Sequence, residues 1–485
     1  MNQTTLLAVL ISAIIFPNLG CAQPERYELG RRLRAFETAW EKAPGDESSG
    51  RCVEPLKDAV QSFFSFRLSR AAEAIDRARY AVESDKEPAA DRIWAESLAI
   101  FPDKRLLDVR EDSLRFELRV FYEKPRPPDS RFTLRCRLLD SGGKELANAD
   151  EVISELPHKS QLPLWSIPAG DHRLKYEIVL NDKPIANGSI GISFVERLND
   201  RLTQLEKLAA GWIDADSTER ATFRAQTRLV SGLAGGKSEE TDYPASRIIS
   251  ELDSLARAIQ DHALFFNRSR GGQFWLALVT GRDAKSRTEA AAVRILVPRK
   301  VQDNSLWPLV VALHGAGGKE NLFFDGYGSG KIVSLCEQRD WMLVAPRCGQ
   351  FGGGPNIPAM IDELLKRYPI DPTKVFLVGH SMGAALAIQA ACQNPNRFAG
   401  VVALGGSGFV RKTDELKKVP FFVGCGTEDF ALSGARSLKD RLIAAGVERV
   451  SMREFKSVEH LGIVQQALPE GFRMFDEIVH SAKSK

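Results

Sequence analysis

The sequence holds no C-x-x-C pair and no cluster of cysteine with histidine, so the ligand spacing of a structural zinc site is missing and no metal is expected. Its seven cysteines, in 485 residues, are too thinly spread for a disulfide scaffold. Setting Cys21 aside leaves Cys52, Cys136, Cys336, Cys348, Cys392 and Cys425, an even number compatible with disulfides outside the cytoplasm. Burial as small apolar residues is the simpler expectation for most of them. Basic charge is not in excess either: 66 Lys and Arg face 63 Asp and Glu, a net charge of +3. With no basic footprint and no recognisable motif, nucleic acid is excluded as a partner. The N-terminal apolar run, Leu6 to Phe16, is broken by Ser12 and is too short to span a bilayer comfortably. No internal repeat occurs.

What that run does fit is a leader. Pro17-Asn18-Leu19-Gly20-Cys21-Ala22 supplies a turn and small residues after it, so residues 1–22 are expected to be a signal peptide. Leu19-Gly20-Cys21 has the form of a lipoprotein box, although Asn18 stands where an aliphatic residue belongs. Cleavage after Ala22 is the other outcome. Either way the protein is expected to be exported, with membrane attachment only through a lipidated Cys21.

The remaining chain changes texture three times. Residues 25–98 place apolar residues at three- and four-residue spacing, which predicts helices. From 100 to 195, short stretches such as "SLRFELRVFYE" and "HRLKYEIVL" alternate apolar and polar residues between turn formers, predicting a small immunoglobulin-like β-sandwich. Residues 196–263 return to a helical connecting region. From 265 to 485, strand-like and helix-like pieces alternate, the pattern of an α/β domain with eight strands in a mostly parallel sheet.

Within this last region, Gly379-His380-Ser381-Met382-Gly383 fits G-x-S-x-G. The pentapeptide is weak by itself but acquires meaning where a strand enters it and a helix leaves it. Val375–Val378 is such a strand, and the small residues after Gly383 begin such a helix. A serine hydroxyl needs a neighbouring base to act as a nucleophile, and only His460 and His480 follow Ser381. His460 lies in a loop-like stretch, whereas His480 belongs to the end of a solvated helix. The acid is expected after the penultimate strand, where "GCGTEDF" offers Asp429, with Glu428 as the second choice. His314-Gly315-Ala316-Gly317-Gly318 ends another strand in a turn with little side-chain bulk. The amides of Ala316 and Met382 are the expected donors to a developing oxyanion. His314 and His380 are read as orienting the loop or lining the cleft, not as proton carriers. Phe324 and Tyr327, in "KENLFFDGYGSGK", complete the candidate substrate pocket.

Together these four motifs, in this order, resemble the secreted esterase branch of the α/β-hydrolase superfamily. The likeness is to dienelactone-hydrolase, feruloyl-esterase and polyhydroxybutyrate-depolymerase-like proteins, and overlaps prolyl-oligopeptidase catalytic domains. It covers residues 265–485 and implies a Ser381–His460–Asp429 triad, an acyl-enzyme, no cofactor, and an ester-containing small molecule or polymer-linked acyl group as substrate. Two alternatives share the same residues: a serine peptidase or amidase, and a surface binding protein whose hydrolase-like domain is inert. Residues 25–263 match no family on their motifs, and their few aromatics, among them Trp165, Tyr122 and Tyr176, form no planar sugar-binding row.

Overall fold

The computed structural model describes residues 23–42, 45–128, 130–212, 216–282, 288–299, 305–349 and 354–481. The expected signal peptide, including Cys21, lies outside them. The described residues form two compact units, the first from those within 23–33, 58–213 and 223–261, the second from those within 34–57, 214–222 and 262–481. The helical region expected over 25–98 is therefore divided: its stretch 34–57 belongs with the C-terminal region, as do 214–222 of the second helical region.

In chain order the helices before the first strand are α1 (Gln23–Lys42), α2 (Gly45–Phe64), α3 (Leu68–Glu83) and α4 (Ala90–Glu96). Eight strands follow, β1 (Leu98–Pro102), β2 (Leu106–Asp108), β3 (Ser113–Val120), β4 (Phe132–Leu139), β5 (Glu145–Val152), β6 (His158–Pro163), β7 (Gly170–Leu180) and β8 (Lys183–Val195). They make a three-stranded sheet, β1-β3-β6, and a five-stranded sheet, β2-β8-β7-β4-β5. Alternation explains their packing. Phe132, Leu134, Cys136 and Leu138 of β4 are buried while the residues between them are not. They share one core with Leu114, Phe116 and Leu118 of β3 and Ile190, Ile192 and Phe194 of β8. Within this first unit Arg32 and Asp76 form a buried ion pair.

Helices α5 (Leu198–Gly211), α6 (Thr218–Ala234) and α7 (Ala245–Gln260) lead to the second unit. Its strands are β9 (Gly272–Arg282), β10 (Thr288–Val297), β11 (Trp307–Leu313), β12 (Met342–Pro346), β13 (Ile370–His380), β14 (Gly400–Leu404), β15 (Phe421–Gly426) and β16 (Val450–Phe455). They form one eight-stranded sheet in the order β16-β15-β14-β13-β11-β12-β10-β9. Every pairing from β12 to β16 through β11 is parallel, and only β9 and β10 are antiparallel additions. Strands β11, β12, β14 and β15 are buried at every residue, the continuous apolar run demanded of strands covered on both faces. The helices of this unit are α8 (Lys331–Glu337), α9 (Ile357–Leu365), α10 (Met382–Gln393), α11 (Leu432–Ala444) and α12 (Ile463–Ser481). The expected α/β architecture is present, and ligand sites in such sheets lie at the carboxyl ends of the strands.

The N-terminal stretch 34–57 is built into this unit. The Trp40 ring fills the space beside Gly462, and the Glu37 carbonyl accepts Gln465 Nε2 at 3.4 Å. Cys136, Cys336, Cys348, Cys392 and Cys425 are buried free thiols, and Cys52 is buried as well.

Candidate active site

Ser381 stands between β13 and α10 with φ 56° and ψ −117°, a conformation L-residues rarely adopt. It persists because its surroundings dictate it. The Ser381 amide is held by the Leu404 carbonyl at 2.9 Å, and its own carbonyl accepts the Ala384 amide at 3.0 Å. A side chain at Gly379 would strike the Gly383 backbone, and one at Gly383 would strike the Leu313 carbonyl. The two glycines thus let strand and helix cross closely enough to force the turn between them.

His460, after β16, and Asp429, after β15, meet directly: Nδ1 donates to Asp429 Oδ1 at 2.8 Å. The same oxygen accepts the Ala431 amide at 2.8 Å. Nε2 of His460 is left to the site. Glu428 is turned the other way, bonded to Lys57 Nζ at 2.9 Å, so of the two adjacent acids it is Asp429 that meets the imidazole. Burial by itself would raise the Asp429 carboxyl, but the His460 imidazole and the Ala431 amide outweigh it and hold it below its ordinary value. Burial would likewise lower His460, and the facing Asp429 carboxylate overrides it, raising the imidazole above 6.5.

Two glycines bring Ser381 to this pair. A side chain at Gly405 would meet Asp429 Oδ2 at 2.8 Å and His460 Nδ1 at 3.3 Å; one at Gly406 would meet the Ser381 carbonyl at 2.6 Å. Consecutive residues at the end of β14, their Cα atoms about 3.8 Å apart, therefore separate the serine from the His–Asp pair. Their only signal in the sequence is that "VVALGG" ends a strand, one that lies between those of the serine and the acid.

The amides of Ala316 and Met382 donate to no acceptor among the described residues. His314 stabilises the Ala316 turn. Its Nδ1 donates to the Gly315 carbonyl at 2.8 Å and its Nε2 accepts the Cys348 amide at 3.0 Å. Burial lowers its pKa, keeping it neutral.

The candidate pocket walls are corrected by the structure. His314 and His380 are buried with both ring nitrogens bonded inside the protein. Tyr327 is buried with its hydroxyl on His380 Nδ1 at 2.7 Å. Phe324 is packed on the buried Arg294 guanidinium, 4.6 Å from its ring centre. For His314 and His380 this is the loop-orienting one of their two expected roles, and hydrogen-bond demand and packing turn Tyr327 and Phe324 inward as well. Among the described residues, Phe430 is an exposed aromatic beside the base. Its ring centroid lies 4.2 Å from that of His460. Its position directly after Asp429 was the available clue.

The order of strands, the strained serine turn and the bonded His–Asp pair at neighbouring strand ends form one recognisable constellation. Residues 354–468, which include Ser381, Asp429 and His460, match the phospholipase/carboxylesterase family. That segment is similar to esterases of the α/β-hydrolase superfamily. In a curated relative, a bifunctional acetylxylan esterase/xylanase of Neocallimastix patriciarum, 150 residues align at 26% identity, covering 29% of this chain and 22% of that one. The chain thus matches under a quarter of that relative's length. Among solved structures, a thermostable esterase aligns at 15% identity over 79% of this chain and 99% of its own, with a TM-score of 0.39. A ferulic acid esterase aligns at 16% identity over 43% of this chain and 99% of its own, with a TM-score of 0.37. The matched esterase segment accounts for only part of the second unit, and residues 25–263 fall outside it.

Proposed function

We propose that the protein is an exported serine esterase that cleaves carboxylic esters through an acyl-enzyme. Ser381 Oγ attacks the ester carbonyl as His460 Nε2 takes its proton. Asp429 holds the tautomer and stabilises the imidazolium. The Ala316 and Met382 amides receive the developing alkoxide, an arrangement in which one donor contributes about 3 kcal/mol. His460 then protonates the departing alcohol, and water releases the acid by the same route. The observation that carries this reading is the Ser381 turn, φ 56° and ψ −117°, set across Gly405-Gly406 from the 2.8 Å His460–Asp429 bond. Strain held at one serine beside a polarised imidazole is what nucleophilic catalysis requires and what an inert scaffold does not.

The likeness to an acetylxylan esterase makes acetyl esters, free or carried on a polysaccharide, the first substrates to try. Export rests on the Leu6–Phe16 run and the small residues after it. The test is labelling by a fluorophosphonate together with hydrolysis of p-nitrophenyl acetate, in wild type and Ser381→Ala. Labelling and turnover in wild type alone support the proposal. A wild type that is neither labelled nor active on any ester overturns it.

A further inference from the structure

The hydrogen bonds around His380 admit a single arrangement of protons. A carbonyl can only accept, so His380 Nε2, 2.9 Å from the His460 carbonyl oxygen, carries the proton and donates it. Burial and the nearby His460 imidazole lower His380 to about 3, so the ring is neutral and its Nδ1 is bare. Nδ1 therefore accepts the Tyr327 hydroxyl at 2.7 Å. The Tyr327 oxygen in turn accepts the Gly315 amide at 3.3 Å. A directed chain results, from the Gly315 amide through Tyr327 and His380 to the main chain of His460, and all four residues are buried. At one end it holds the amide of Gly315, the residue before Ala316; at the other it holds the residue bearing the base.

This chain cannot serve as a proton relay. It ends on a carbonyl oxygen, which has no proton to pass to the His460 ring. What it fixes is a distance. The transition state of ester cleavage divides its charge between the oxyanion and the imidazolium, and the groups meeting those charges sit on separate loops, after β11 and after β16. We infer that Tyr327 and His380 are positioning residues, which set the oxyanion turn and the catalytic base at one fixed separation; the inference rests on the esterase reading above. Polar satisfaction alone would not require one continuous path between the two loops. Misplacement of a catalytic group by about 1 Å costs on the order of 10²-fold in rate.

The experiment uses the full chain and p-nitrophenyl acetate, comparing wild type with Tyr327→Phe, His380→Leu and His380→Gln, each checked by circular dichroism and thermal melting. Tyr327→Phe keeps the ring and removes two of the three links. It decides the outcome if His380→Leu does not fold. The expected result is a kcat about 10- to 100-fold lower in Tyr327→Phe and His380→Leu, with KM within about twofold of wild type. The rate of fluorophosphonate labelling should fall in parallel. His380→Gln can still donate to the His460 carbonyl and should recover most of the loss. Wild-type kcat in folded Tyr327→Phe overturns the inference, as does a change confined to KM or a glutamine variant no better than leucine. An inert, unlabelled wild type would overturn the esterase reading and this inference with it. An active wild type with an unaffected Tyr327→Phe would overturn only the inference.

Discussion

The Phe430 ring packs on the His460 imidazole, 4.2 Å between centroids, and keeps half of its surface open to solvent. A phenylalanine so placed is a ready apolar contact for whatever approaches the base. In the proposed reaction His460 Nε2 protonates the departing alcohol, so the ring lies on the alcohol side of the scissile bond. Phe430→Ala should lower kcat/KM about tenfold for esters of aryl or long-chain alcohols. It should barely change methyl and ethyl esters, and a series varied only in the acyl group should respond uniformly. Measuring both series separates these effects, and an equal loss for all alcohols would refute the assignment.

The His460–Asp429 pair sets the pH profile. Because Asp429 raises His460 above the ordinary 6.5, the base form is lost at a higher pH than for a free histidine. The acidic limb of kcat/KM for the wild type should therefore turn above pH 6.5. Asp429→Asn removes the carboxylate and favours the wrong tautomer. Activity should fall about 10³- to 10⁴-fold, and the limb should move to lower pH. Stopped assays across pH 5–9 on both proteins give the comparison.

Glu37 supplies a stability test. Burial pushes its carboxyl up to about 8 from 4.5; the Gly328 amide offsets this only in part, and neither oxygen has a hydrogen-bond partner of normal geometry. The unfolded chain therefore ionises first. The contribution to stability is complete below about pH 4.5 and is lost as pH rises toward 8. Glu37→Gln should match wild type in acid and exceed its melting temperature at pH 8 and above. A difference that does not depend on pH would refute this account.

Gly383→Ala should break the serine turn. The new methyl would collide with the Leu313 carbonyl, a backbone atom that cannot rotate away. A loss at or beyond the upper end of the usual overpacking range of about 1–3 kcal/mol is expected. The readouts are the melting temperature and the yield of labelled protein; a variant as stable and as reactive as wild type would contradict the close approach of α10 to the end of β11.

The sequence alone specified the α/β sheet because its strands carry continuous apolar runs, such as Leu309–Leu313 and Val401–Leu404, and such runs are stable only when covered on both faces. It also singled out Ser381, His460 and Asp429, because strand-end chemistry leaves few candidates once the order of strands is read. Tertiary structure decided the rest. For His314 and His380 the sequence left two roles open, orienting a loop or lining the cleft, and Tyr327 and Phe324 were candidates for the pocket; which way such a side chain turns depends on partners distant in sequence. Examples are the Cys348 amide for His314 and the His460 carbonyl for His380. What Glu428 does instead was also hidden in the sequence, because its partner, Lys57, lies more than 300 residues earlier. Nor could helical periodicity divide residues 25–98 between two units, since it records that a face is buried and not what buries it.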